Sequence, residues 1–180
     1  MKHTFLFAAA AFLLWSTACQ NNNSTQTAEN YPPIRYSAES LRYFQAYVEM
    51  EPALHQNNDT TYVFNFWATW CKPCVKELPY FEQAWRKFHK QPIKIVLISL
   101  DFPNETEQKL LPFLEAHQLH PDIWVIYDVN VYSWMPQVDE TWTTSAIPAT
   151  LIRRNGKRLF HDKAYESYEE LEQDILKLAQ

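Results

Sequence analysis

Tyr62-Val63-Phe64-Asn65-Phe66-Trp67-Ala68-Thr69-Trp70-Cys71-Lys72-Pro73-Cys74 is the stretch on which the fold of this chain turns. Tyr62 to Trp67 is almost wholly aliphatic or aromatic and reads as a buried strand. Beyond the cysteines, Leu78, Phe81, Trp85 and Phe88 recur at intervals of three and four, the spacing of one helix face. A Cys-x-x-Cys at a strand-to-helix junction places its first sulfur at the helix N-terminus, where unpaired N–H groups and the helix dipole favour an anion. A thiol held there ionises more readily than free cysteine at about 8.5, and the thiolate is the nucleophile. Cys74 follows one turn behind, close enough to close a disulfide with Cys71. The local chemistry is that of a dithiol that cycles.

Outward from this motif, Ser37 is placed to cap a helix whose Leu41, Phe44 and Val48 share a face. Strand 61–67 leads into the motif helix, which runs to about Lys90. Ile93-Lys94-Ile95-Val96-Leu97-Ile98-Ser99 reads as a buried parallel strand. Asn104 with Glu107 suggests a capping box for a helix through His117, kinked at Pro112. Residues 122–127 read as a strand and 130–138 as a short helix. Strands 149–153 and 157–161 flank Asn155-Gly156 and predict a hairpin. Ser167 and Glu170 open a last helix with Tyr168, Leu171, Ile175 and Leu178 inward. Strands alternating with helices predict an α/β fold, a central mixed sheet flanked by helices. Gly156 is the only glycine in 180 residues, so turns elsewhere rely on Asn, Asp and Pro.

Phe66 to Cys74, followed by Glu77-Leu78-Pro79, resembles the thioredoxin superfamily, and within it the TlpA/ResA-like membrane-anchored thiol–disulfide oxidoreductases. Ala146-Ile147-Pro148-Ala149-Thr150-Leu151 is similar to a second hallmark, a proline between the last long loop and a strand. The resemblance covers roughly residues 60–180. It implies a thioredoxin-like fold with an inserted α/β unit around 104–127. That group often opens with a β-hairpin, whereas residues 37–56 here read as helical. The resemblance also implies a disulfide reductase, with electrons from a membrane-embedded or periplasmic thiol donor. Its clients would be exported thiol proteins such as apocytochromes.

Exchange chemistry assigns Cys71 as the attacking sulfur and Cys74 as the one that resolves the mixed disulfide. Glu77 matches the acidic residue after the motif in the TlpA/ResA-like pattern and is a candidate to move a proton to or from Cys74 if desolvated. The alternative is a first-turn carboxylate favoured by the helix dipole. Asn65 stands where plain thioredoxins carry a buried acid. Trp70, Lys72, Pro73, Ile147 and Pro148 are the candidate substrate contacts. A cis bond at Pro148 would leave the Ile147 backbone to pair with a client chain beside Cys71. Trp70, Trp134, Met135 and Trp142 are candidates for the rim of a cleft, with core packing as the alternative.

The N-terminus accounts for the third cysteine. Lys2 and His3 precede an apolar run from Phe5 to Trp15, too short to span a bilayer. Ser16-Thr17-Ala18 then leads into Cys19, as at a bacterial lipoprotein cleavage site, although Ser16 stands where an aliphatic residue is commonest. The expected organisation is a signal peptide at 1–18, a lipid-anchored tether at 19–36 and a thioredoxin-like domain at 37–180. An ordinary signal peptide is the alternative. Residues 20–36 as flexible coil average about 20–25 Å end to end. The expected location is the cell envelope, facing the periplasm.

The net charge of −5 and the absence of a basic patch exclude a nucleic-acid partner. His117 and His120 have helical ligand spacing but read as a solvated pair. Arg153, Arg154, Lys157 and Arg158 read as a solvated hairpin surface. The sequence calls for no cofactor and no metal. Two rival readings remain open: a copper carrier of thioredoxin fold, and a non-catalytic thioredoxin-like module.

Overall fold

The computed structural model describes residues 31–179. In chain order the elements are β1 (Arg42–Phe44), α1 (Tyr47–Leu54), β2 (Thr61–Trp67), α2 (Lys72–Phe88), β3 (Ile93–Ser99), α3 (Leu111–His117), β4 (Asp122–Ile126), α4 (Val131–Val138), β5 (Ala149–Arg154), β6 (Lys157–His161) and α5 (Tyr168–Ala179). The strands make one sheet in the order β1-β4-β3-β2-β5-β6. The first four run parallel; β5 pairs antiparallel with β2, and β6 pairs antiparallel with β5. β2 is central, paired with β3 from Thr61 opposite Ile93 to Trp67 opposite Ser99.

Side chains alternate across a strand, so each strand feeds two cores. Val63, Leu97, Val125 and Ile152 face α2, α3 and α5, meeting Leu78, Phe81, Leu114 and Ile175. Phe64, Phe66, Ile98 and Leu151 face the other way, toward Met50 and Leu54 of α1 and Trp134 of α4. Burial on both faces explains why β2 reads as an unbroken apolar run. Asn65 interrupts that apolar run with a buried amide directed toward α2, where its Nδ2 meets the buried Glu77.

Two segments depart from expectation. Residues 37–56 are not one helix: a 3₁₀ turn (Ala38–Ser40) leads into β1, and only then does α1 begin. Leu41 and Phe44 are buried as expected, but Val48 is 69 % exposed, and α1 buries Tyr47, Met50 and Leu54 instead. The backbone of Arg42–Phe44 pairs with Trp124–Ile126, a gain that local spacing does not register. In the inserted unit, a 3₁₀ turn (Pro103–Glu105) and a π turn (Thr106–Leu110) precede α3, and no side-chain cap forms at Asn104. Pro112 falls in the first turn of α3, directly after the π turn, where the Leu111 N–H still bonds back to the Thr106 carbonyl and the proline supplies no N–H to continue that pattern. The helix thus changes winding before the proline rather than kinking at it. The hairpin forms as read: Asn155 and Gly156 both take positive φ, 47° and 75°, as a two-residue hairpin turn demands.

Candidate active site

The end of β2 and the start of α2 set the sulfurs. Cys71 is the N-cap of α2, in extended backbone conformation, with Lys72 and Pro73 in the first helical turn. Proline suits that turn because the first helical N–H groups have no partner inside the helix. Cys71 and Cys74 are joined in a disulfide. The Cys74 N–H donates to Cys71 Sγ at 3.3 Å, so a helix-terminal donor already points at the sulfur expected to carry charge. Cys74 is wholly buried, whereas Cys71 keeps a small accessible edge, 6 % of its surface. Around that edge Lys72 and Pro73 are exposed, and Trp70 is 53 % exposed.

The loop before Cys71 is held from β3. The buried Asp101 carboxylate accepts from the Thr69 N–H and hydroxyl and from Ser99 Oγ. From the opposite side, Ile147 places its carbonyl oxygen 3.6 Å from Cys71 Sγ. The Ile147–Pro148 bond is cis. Trp142 Nε1 donates to the Ala146 carbonyl at 2.9 Å and anchors that loop.

Glu77 is 1 % exposed and lies in the second turn of α2, on the same face as Cys74. Because Glu77 lies beyond the first turn of α2, the alternative of a first-turn carboxylate favoured by the helix dipole does not hold. Asn65 Nδ2 donates to its Oε1 at 2.8 Å, and the Tyr165 N–H donates to its Oε2 at 2.7 Å. Burial nevertheless pushes the carboxyl up to about 7, and the charge of Glu170 adds to the shift. The two hydrogen bonds favour the ionised form and only partly offset the desolvation. Asn65 also donates to Thr150 Oγ1 at 3.1 Å, which ties β2, β5 and α2 together beneath the disulfide. Behind Tyr165, its ring stacks on His161 with centroids 4.0 Å apart, and its hydroxyl donates to Asp174.

The structure therefore brings Trp70, Cys71, Lys72, Pro73, Cys74, Glu77, Ile147 and Pro148 to one end of the sheet. It separates the other aromatic candidates. Trp134 and Trp142 are buried, edge to face with each other, and Trp142 packs on Phe66 at 4.9 Å. They support the site from within rather than rim it; Trp70 stands at the surface, and the buried Met135 reaches a pocket wall. His117 is engaged by the Phe113 carbonyl and His120 by Glu82, so the two do not converge. Among the described residues no group of three or more His, Cys, Asp or Glu is arranged to hold a metal ion. The hairpin charges are less solvated than expected: Arg158 pairs with Asp139 and Glu140, and half-buried Arg154 donates to Thr61 and the Ala179 carbonyl. Asp101 and Tyr165 carry no sequence signal, because their roles arise from contacts between segments far apart in the chain. Cys19, with the expected signal peptide and most of the tether, lies outside the described residues. Among the described residues no helix is long and apolar enough to cross a membrane.

Comparison with known proteins gives concordant likenesses. The sequence pattern of the AhpC/TSA family matches residues 49–133. The chain is 27 % identical over 115 residues to the thiol–disulfide oxidoreductase ResA of Bacillus thuringiensis subsp. konkukian, covering 63 % of this chain and 61 % of that protein. It is 27 % identical over 153 residues to ResA of Oceanobacillus iheyensis, covering 84 % and 72 %. Among solved structures, a thioredoxin family thiol:disulfide interchange protein from Chlorobium tepidum superposes with a TM-score of 0.58 at 17 % identity, over 72 % of this chain and 85 % of that one. A thioredoxin-related protein from Neisseria meningitidis serogroup B gives 0.55 at 25 % identity, over 69 % and 87 %. The sheet order, the motif at the start of α2 and the proline before β5 agree with this fold.

Proposed function

We propose that this chain, a TlpA/ResA-like member of the thioredoxin superfamily, reduces disulfides in exported proteins through Cys71 and Cys74. The observation that carries the reading is the asymmetry of the pair. Cys71 lies at a helix N-terminus with an accessible edge, and Cys74 is sealed on the face of α2 that also carries the buried Glu77.

In the reduced protein the Cys71 thiolate attacks a client disulfide, forming an S–S bond to one client sulfur and expelling the other as a thiolate that takes a proton from water. Glu77 accepts the Cys74 proton, and the Cys74 thiolate attacks Cys71 Sγ. The Cys71–Cys74 disulfide closes and the second client thiolate leaves. The client gains two electrons and the protein loses two; a thiol donor in the envelope restores the dithiol. A carboxyl near 7 is suited to both accepting and returning a proton at neutral pH. Ile147 offers backbone beside the sulfur for an extended client segment.

The direction follows from magnitudes. Lys72 stabilises the thiolate and so the reduced form, but an exposed charge pair is worth only about 0.2–1 kcal/mol. At about 1.4 kcal/mol per 30 mV, that shifts the potential by roughly 20 mV at most. Moving from thioredoxin near about −270 mV to the strongest oxidants of the superfamily near −120 mV takes about 7 kcal/mol. Equilibration against glutathione and dithiothreitol buffers tests this. The expected result is one two-electron transition well below about −180 mV; a value above it would assign an oxidase or isomerase instead. The further proposal is an anchor at Cys19, on the periplasmic side of the envelope, with the polar tether giving the domain freedom to reach clients such as apocytochromes.

A further inference from the structure

We propose that His161 is a positioning residue for the exchange: as an imidazolium between Glu170 and Asp174, it offsets their charge and so sets the pH at which Glu77 takes the Cys74 proton. This rests on the exchange reading above. His161 ends β6 directly opposite Thr150 of β5, and Thr150 lies opposite Asn65 of β2. Directly opposed residues share a sheet face, so the three form one polar row on the side that carries α2 and α5. The row meets Glu77 at one end, where Asn65 Nδ2 donates to both the carboxylate and Thr150 Oγ1. His161 stands at the other, its ring stacked on Tyr165, whose N–H donates to Glu77 Oε2.

Both ring nitrogens of His161 face carboxylates. Nδ1 lies 3.6 Å from Asp174 Oδ2, and Nε2 lies 4.0 Å from Glu170 Oε1. Nε2 is buried without a hydrogen-bond partner, so a lone pair there would go unused. A neutral ring carries a proton on one nitrogen; only the imidazolium presents N–H to both acids. The two acids are not equally covered. Asp174 is also paired with Lys177 at 2.6 Å and accepts from the Tyr165 hydroxyl. Burial and the Asp174 charge hold that hydroxyl far above its ordinary range, so it stays a neutral donor. Glu170 has no ion pair besides His161 among the described residues, and its Oε2 accepts from the Glu166 N–H. Glu77 meets the uncharged Asn65 amide from β2 and feels the charge of Glu170 from α5. A cation at His161 therefore cancels Glu170 and makes the Glu77 carboxylate easier to form. Only 11 % of the His161 side chain is exposed, so solvent screens that charge little.

The test titrates Glu77 directly in the full-length disulfide form, by NMR of isotope-labelled glutamate carboxyls assigned with Glu77→Gln. The same variants are then reduced, and the pH dependence of their exchange with a small disulfide is measured. His161→Gln should raise the Glu77 midpoint by about 0.5 pH unit or more, and Glu170→Gln should lower it. His161→Lys, which restores a cation, should bring the midpoint back toward the wild-type value. The step in exchange rate should move with the midpoint in each variant. An unchanged midpoint in His161→Gln, or an equal rise in His161→Gln and His161→Lys, would overturn the proposal; the second result would trace the effect to lost stacking on Tyr165. A midpoint that moves as expected in a protein whose exchange rate ignores Glu77→Gln would instead overturn the exchange role of Glu77, and the role of His161 with it.

Discussion

Glu77 carries its charge at a cost, and the cost sets a pH dependence. Its carboxyl titrates near 4.5 in the unfolded chain and near about 7 in the folded protein. Between those values the folded state holds the extra proton, so stability falls as pH rises from about 4.5 through 7, and no penalty exists below both values. At about 1.4 kcal/mol per pH unit the full penalty is on the order of 3 kcal/mol. Glu77→Gln removes it. Asn65 Oδ1 is buried without a partner, so rotation of the Asn65 amide can offer the new side chain an acceptor. The variant should be more stable than the wild type by about 1–3 kcal/mol near pH 8 and equal to it near pH 4, measured by urea unfolding with the disulfide closed. Exchange should slow by about 100-fold and lose its pH step near 7, because glutamine cannot take the Cys74 proton. A variant of unchanged activity would leave Glu77 a purely structural group.

At the scale of elements, local chemistry written into consecutive residues was readable and pairing between distant segments was not. Asn155-Gly156 specifies its turn, and Gly156 needs a positive φ with open space where a Cβ would stand. Gly156→Ala therefore meets no clash and should cost about 1–2 kcal/mol from backbone conformation alone, seen as a lower urea midpoint. The strand–motif–helix run from Tyr62 to Phe88 was equally legible, as were β3, β4 and the proline before β5. The three residues of β1 were not, because their pairing with β4 depends on a partner about eighty residues away. Glu77 shows the same limit within the site. Its place after the motif is visible in the sequence, but its cover comes from Tyr165, 88 positions on. Trp134 and Trp142 illustrate the converse. Aromatics near Pro148 look alike in sequence whether they rim a cleft or stack beneath it, and these two stack beneath it.

For the molecule as a whole, the sheet gathers chemistry at one end. The carboxyl ends of β2, β3 and β4 deliver the motif loop, the Asp101 clamp and the pocket walls, and the return into β5 brings Ile147 against Cys71. The proposed anchor would hold that end within reach of envelope clients. Its test is direct: the mature protein should begin at a lipid-modified Cys19 and sediment with membranes, and Cys19→Ser should release it or leave it unprocessed. An unmodified N-terminus downstream of Cys19, found by mass spectrometry, would remove the anchor. The order of attack by the two sulfurs is the most direct test of the exchange reading. Non-reducing gels of cells producing each single variant should show Cys74→Ser accumulating mixed disulfides with client proteins through Cys71, and Cys71→Ser accumulating none. Adducts of equal abundance in both variants would mean that nucleophile and resolver are not the residues that the helix N-terminus and the buried face of α2 assign.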